Sequence, residues 1–192
     1  MNPMQIFVDH ALPGCSGCRI CEKMCALRHE KKYNPAYSRV KVYQFYPGPI
    51  DVPIVCQYCG DRPCVAACPT GALTYSTASF QMFVDEAICT GCQACNQACI
   101  DNERGGCISF HPTKGTAQIC DLCGGEPQCA KFCPSNTLHF LPMSRFSKRL
   151  AKPAKTIASR IADQFYPVRK EIERGGCRAW LVVTLARSSM WT

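Results

Sequence analysis

The chain has 192 residues, 18 of them cysteine, and a formal charge of +8. The apolar residues between the cysteines are too few for a conventional core, which excludes an ordinary globular interior and points to one stapled by metal. The charge is uneven. Residues 1–144 hold eleven basic and eleven acidic side chains, whereas 145–192 hold eleven basic and three acidic.

In chain order, Gln5-Ile6-Phe7-Val8-Asp9 reads as a strand leading into Cys15, Cys18, Cys21 and Cys25, a C-x2-C-x2-C-x3-C run. An insertion follows from about Ala26 to Val55. It holds an alternating strand, Val40-Lys41-Val42-Tyr43-Gln44-Phe45, then a proline-rich turn, Tyr46-Pro47-Gly48-Pro49, with Pro53 a little beyond. The second group is Cys56, Cys59, Cys64 and Cys68, followed by Pro69, and Gly71-Ala72-Leu73-Thr74-Tyr75 closes this half. The pattern then repeats. Gln81-Met82-Phe83-Val84-Asp85 leads to Cys89, Cys92, Cys95 and Cys99, at the spacing of the first group. The fourth group, Cys120, Cys123, Cys129 and Cys133, is followed by Pro134 and by Asn136-Thr137-Leu138-His139-Phe140. The expected fold is α+β: a four-cluster unit over residues 1–144, duplicated and ferredoxin-like, with pseudo-repeats at about 5–75 and 81–140.

Four thiolates per group suit a cubane 4Fe–4S cluster, and the spacing of groups one and three is the bacterial ferredoxin run. In such runs three cysteines wrap one cube and the fourth ligates the other cluster of a pair. The prolines after Cys68 and Cys133 suit the chain leaving that loop. Structural zinc sites pair two C-x2-C knuckles across a spacer rather than running three cysteines at three-residue intervals. A disulfide framework needs an oxidising compartment, and the segment from Met1 to Val8 has neither the basic region nor the long apolar run of a signal peptide. A cytoplasmic protein with four 4Fe–4S clusters is expected, largely unfolded without them.

Cys107 and Cys177 stand outside the groups and read as buried apolar residues or free thiols, not ligands. His10, His29, His111 and His139 are scattered and read as surface or hydrogen-bonding groups. No Ser/His/Asp arrangement, phosphate loop or dinucleotide fingerprint is present, so the chain is expected to have no catalytic residue of its own.

Residues 145–192 read as a basic tail. Ala154 to Phe165 form an amphipathic helix with Ile157, Ile161 and Phe165 on one face, begun near Pro153 and stopped before Pro167. Ala179-Trp180-Leu181-Val182-Val183 is too short to span a bilayer, so no transmembrane anchor is expected. The tail could clamp a partner subunit or a second copy of the chain, or lie on anionic lipid. Nucleic acid is not expected, because stacking aromatics are lacking. Four clusters at about −2 each would offset the formal charge and leave an acidic core beside a basic tail.

All four groups in order, inside an internal duplication, resemble the four-cluster electron-transfer subunits of molybdenum and tungsten oxidoreductases, the dimethyl sulfoxide reductase iron–sulfur subunit family. Within it, Tyr46-Pro47-Gly48-Pro49 and Val52-Pro53-Ile54-Val55-Cys56 look most like the small subunit of bacterial tungsten aldehyde oxidoreductases and related benzoyl-coenzyme A reductases. The resemblance implies four ligand sets. Cys15, Cys18 and Cys21 take Cys133; Cys120, Cys123 and Cys129 take Cys25; Cys56, Cys59 and Cys64 take Cys99; and Cys89, Cys92 and Cys95 take Cys68. It also implies a linear order of group one, then four, three and two. Some relatives carry Trp in place of the second cysteine of group three and hold a three-iron cluster there; Cys92 implies a full cube.

The resemblance implies a relay of single electrons between a large tungsten- or molybdenum-pterin catalytic subunit and a flavin/NAD subunit or ferredoxin. The stripe of the tail helix adds the reading that residues 145–192 are an assembly device, which between identical chains would give a ring or filament. The competing readings are a free-standing polyferredoxin, or a subunit of a benzoyl-coenzyme A reductase, formate dehydrogenase or dimethyl sulfoxide reductase-type enzyme.

Overall fold

The computed structural model describes residues 3–9, 14–45, 50–143 and 153–165. The turn at Tyr46-Pro47-Gly48-Pro49, His10, Cys177, the apolar segment 179–183 and the rest of the tail lie outside the described residues. The chain order is β1 (Met4–Val8), α1 (Ile20–Glu30), β2 (Lys41–Phe45), β3 (Ile50–Ile54), α2 (Pro63–Ala66), β4 (Leu73–Ser76), β5 (Gln81–Val84), α3 (Ala94–Asp101), β6 (Ser109–Phe110), β7 (Ala117–Gln118), α4 (Gln128–Lys131), β8 (Leu138–Pro142) and α5 (Ala154–Phe165). It is a mixed helix-and-strand fold of short elements.

Among the described residues the strands form four separate antiparallel pairs: β1 with β8, β2 with β3, β4 with β5, and β6 with β7. The two pseudo-repeats exchange their outer strands. β1 opens the first half and pairs with β8, which closes the second, in a register that sets Ile6 opposite Phe140 and Val8 opposite Leu138. β4 and β5, at the junction, pair with each other, Leu73 opposite Val84. Each half keeps its own internal pair. Because every strand here is an edge strand, Pro53 is tolerated inside β3, where it faces Val42.

The helices bury sulfur where ordinary helices bury leucine. In α1 the buried residues are Cys21, Glu22, Cys25 and Ala26, one face by their spacing. In α3 they are Cys95 and Cys99. Left-handed residues bracket α1: Arg19 at its start, and Lys31 at its end, whose N–H donates to the Leu27 carbonyl. Eight of the 28 buried residues in the core cluster are cysteines, so thiols share the interior with aliphatic side chains.

The helix expected over 154–165 forms, and it docks on this chain. α5 packs on β3 and, less extensively, on β2. Ala154, Ile157, Ala158 and Ala162 are buried and Ile161 is partly buried in the same cluster. Ile157 and Ile161 of the apolar stripe read in the sequence are thus covered by the chain's own β2–β3 hairpin, and this helix belongs with the core. Ile157→Ala is expected to cost about 2–5 kcal/mol of stability through the cavity it leaves. Chemical denaturation would read that loss, with iron content unchanged because the cysteines lie elsewhere.

Candidate iron–sulfur sites

The strand exchange decides which thiols meet. The β1–β8 pair sets the loop before α1 beside Cys133, and the β4–β5 pair sets the loop before α3 beside Cys68. Cys68, Cys89, Cys92 and Cys95 line one small cavity, open at its mouth. Cys56, Cys59, Cys64 and Cys99 line another, together with Arg104 and Cys107. Cys15 stands within electrostatic reach of Cys18 and Cys133, and Cys21 of Cys15 and Cys133. Cys129 lies beside Cys25 and Cys123, and Cys120 beside Cys129 and Cys25. The grouped thiols thus gather in four sets, each drawn from two cysteine groups.

Two helices link neighbouring sets. α1 carries Cys21 into one and Cys25 into the next, and α3 does the same with Cys95 and Cys99. Four residues of helix separate the members of each pair by about 6 Å along the axis. α4 packs on α1 and α2 on α3, which brings in Cys129 and Cys64.

The order along the molecule differs from the one the family resemblance implied. Cys120 of the fourth group neighbours Cys56 of the second. The Tyr58 hydroxyl, beside Cys56, donates to the Cys120 carbonyl at 2.6 Å. Since α3 runs from the third set to the second, the sequence of sites is one, four, two, three. The physical reason is α3 itself: Cys95 lies one turn from Cys99, which seats the third set outward of the second. Burial agrees. All four thiols of the fourth set are buried, whereas Cys18 of the first and Cys92 of the third are exposed.

The cysteine loops are built to face negative sulfur. Arg19, Tyr58, Arg62, Gln93, Leu122 and Cys123 all have positive φ, and such left-handed steps turn successive N–H groups inward as an anion nest. Gly17 and Gly91 hold equivalent places in groups one and three, with φ of +67° and +68°. A Cβ at Gly17 would lie 2.5 Å from the Asp51 carboxylate, and one at Gly91 would strike the Gly115 carbonyl. Backbone N–H groups donate to sulfur from Gly17 to Cys15 (3.5 Å), Ala117 to Cys89 (3.4 Å) and Arg39 to Cys25 (3.3 Å).

Burial pushes the thiols of Cys21 and Cys64 up to about 12, and nearby acidic or thiol groups add to the shift. Burial also raises Cys120 and Cys129. Cys68 and Cys133 go the other way. Burial opposes ionisation there, but backbone donors and the Thr70 or Ser135 hydroxyl hold each thiol below its ordinary value. Clustered, buried thiols keep their protons until a cation displaces them. The donor sets are all sulfur, which suits iron–sulfur clusters or soft ions. Single backbone N–H groups donate to the sulfurs of Cys15, Cys25 and Cys89, and four all-thiol sets with such donors fit iron–sulfur clusters.

The histidines take structural places. His29 Nε2 is 3.5 Å from Asp121 and 3.7 Å from Cys123 Sγ. His111 is buried, its Nδ1 accepting the Lys114 N–H and its Nε2 3.4 Å from Glu30. His139 lies against Phe7.

Two residues at the sites went unread in the sequence, Tyr58 and Arg104, and a third, Cys107, reads there only as a buried or free thiol. Arg104 pairs with Asp61 at 2.9 Å at the rim of the second cavity. Cys107 is buried as read, and its sulfur also meets that of Cys99 at 3.9 Å. The visible signal was Gly105-Gly106, which turns the chain back after α3.

No family model matches the chain. It is 44% identical over 119 residues to the polyferredoxin-like subunit of the aliphatic sulfonate oxidoreductase of Pyrococcus furiosus, covering 62% of this chain and 66% of that subunit. It is 30% identical over 163 residues to the B subunit of the anaerobic dimethyl sulfoxide reductase of Escherichia coli K12, covering 74% of this chain and 75% of that subunit. The BamBC active-site complex of benzoyl coenzyme A reductase with benzoyl-CoA aligns over 95% of this chain and 96% of its own at 21% identity, with a TM-score of only 0.42. The class is that of iron–sulfur subunits of oxidoreductases. Within it, the chain belongs to the family of the dimethyl sulfoxide reductase B subunit and the polyferredoxin-like subunits. Among the described residues no helix is long and apolar enough to cross a membrane.

Proposed function

We propose that this chain relays single electrons through four 4Fe–4S clusters between a tungsten- or molybdenum-pterin catalytic subunit of aldehyde oxidoreductase type and a flavin subunit or ferredoxin. One observation carries the reading: four all-cysteine sets lie in a row, linked by α1 and α3, with an exposed cysteine at either end. The ligand sets are Cys15, Cys18, Cys21 and Cys133; Cys25, Cys120, Cys123 and Cys129; Cys56, Cys59, Cys64 and Cys99; and Cys68, Cys89, Cys92 and Cys95. Each cluster, when bound, supplies a one-electron couple whose potential depends on burial and on hydrogen bonds to sulfur. The chain's part is to space the sites by a helical turn, to bury the fourth set, and to leave Cys18 and Cys92 at the surface for exchange with partners.

Anaerobically purified protein should hold about sixteen irons and as many sulfides. Its visible absorbance should bleach on adding aldehyde only when the separate pterin subunit is present. Stoichiometric zinc with little iron, or aldehyde turnover by this chain alone, would overturn the reading. The relative from Pyrococcus furiosus favours a second substrate for the partner, an aliphatic sulfonate; offering that substrate in the same assay separates the two. Recovery of the native protein as a lone monomer would favour a free-standing polyferredoxin. Since α5 is occupied by β2 and β3, self-association would use the basic residues beyond 165.

A further inference from the structure

The second site holds one sulfur more than four ligands require. Cys107 Sγ lies 3.9 Å from Cys99 Sγ, and its thiol also meets Cys56. It is 5% exposed, with Ile108 and Ile119 lining the same cavity. A specific turn puts it there. After α3, Glu103, Gly105 and Gly106 take φ of 53°, 100° and 59°, and the Arg104 N–H donates to the Cys99 carbonyl at 2.9 Å. A Cβ on Gly106 would press to 3.1 Å of Ile100 as well as strain that φ. The turn aims the N–H groups of Gly106 and Cys107 at the Cys99 sulfur.

We propose that Cys107 is a positioning residue: its S–H donates to the sulfur of Cys99 and so raises the reduction potential of the cluster that Cys56, Cys59, Cys64 and Cys99 hold. This rests on the proposed reading of those four as cluster ligands. Reduction adds negative charge that spreads onto the ligand sulfurs, and a donor aimed at one of them stabilises the reduced form. Cys107 and Cys99 are both buried, and away from water the effect of one such bond is enlarged. Cys99 keeps the ligand role because it stands one turn after Cys95, as Cys25 stands after Cys21. Cys107 has no counterpart in the first half of the chain.

The test is an EPR-monitored redox titration of the full chain, with iron counted in each variant. Cys107→Ala should keep about sixteen irons and lower the potential of one cluster only. At fixed poise its reduced-to-oxidised ratio should fall about tenfold, which is about 59 mV for one electron. Cys107→Ser keeps a donor and should titrate at or above the wild-type potential. If the alanine variant does not fold, Cys107→Val fills the volume without a donor and answers the same question. An unchanged potential without the donor would overturn the proposal. So would equal shifts in the serine and alanine variants, which would mean packing alone. Loss of about four irons from either variant would make Cys107 a ligand instead. Zinc in the unaltered protein would defeat the underlying reading before any variant is made.

Discussion

Removing iron is expected to unfold the protein, not merely to bleach it. Eight of the 28 buried residues in the core cluster are cysteines, and the strands form only isolated pairs among the described residues. A lone two-stranded pair is marginal in water at best. Here the pairs are held together across sites where thiols from distant segments converge, Cys133 reaching the first loop and Cys68 the third. Binding a structural metal to four thiolates contributes on the order of 10–16 kcal/mol, against a net stability of about 5–15 kcal/mol for a typical domain. With four such sites in series, the apoprotein has no margin left. Chelation under anaerobic reducing conditions should therefore abolish the cooperative thermal transition and most of the far-UV signal. Among the described residues the α5-on-hairpin unit has an aliphatic interface of its own. A cooperative apoprotein transition with native-like circular dichroism would show that the aliphatic shell suffices.

How much was legible in the sequence depended on whether the signal was local. The strands at Val40–Phe45 and Gln81–Asp85 and the helix at 154–165 were readable because alternation and the i, i+4 stripe are properties of neighbouring residues. The cysteine groups were readable for the same reason. The docking of α5 was not, because an apolar stripe states that a face will be covered without stating by what. The order of the sites was not either. It depends on α3 placing Cys95 outward of Cys99 and on the Tyr58 hydroxyl reaching the Cys120 carbonyl, a contact across 62 positions. The burial of Cys107 was legible, but its contact with Cys99 was not, because that sulfur is met through a three-dimensional turn at Gly105-Gly106, whereas ligand spacing is a one-dimensional rule.

Cys25→Ala is expected to break the relay at an inner site while leaving its own group's site intact. Cys25 is 5% exposed, stands on α1 one turn after Cys21, and neighbours Cys120, Cys123 and Cys129, all of them buried. The Arg39 N–H donates to its sulfur at 3.3 Å, so truncation leaves both an empty ligand position and an unpaired donor. If Cys25 completes the fourth set, this variant should lose about four irons of about sixteen, or retain a three-iron remnant there. The cluster of Cys15, Cys18 and Cys21 should persist, because its fourth thiol is Cys133. The reciprocal variant, Cys133→Ala, should do the opposite: strip the outer, partly exposed first site and spare the buried fourth. Electron transfer from one end of the molecule to the other should fail in both. Anomalous diffraction at the iron edge reads which site has emptied. Should Cys25→Ala empty the site of Cys15, Cys18 and Cys21, each cysteine group holds its own cluster and the proposed exchange of ligands between the halves is wrong.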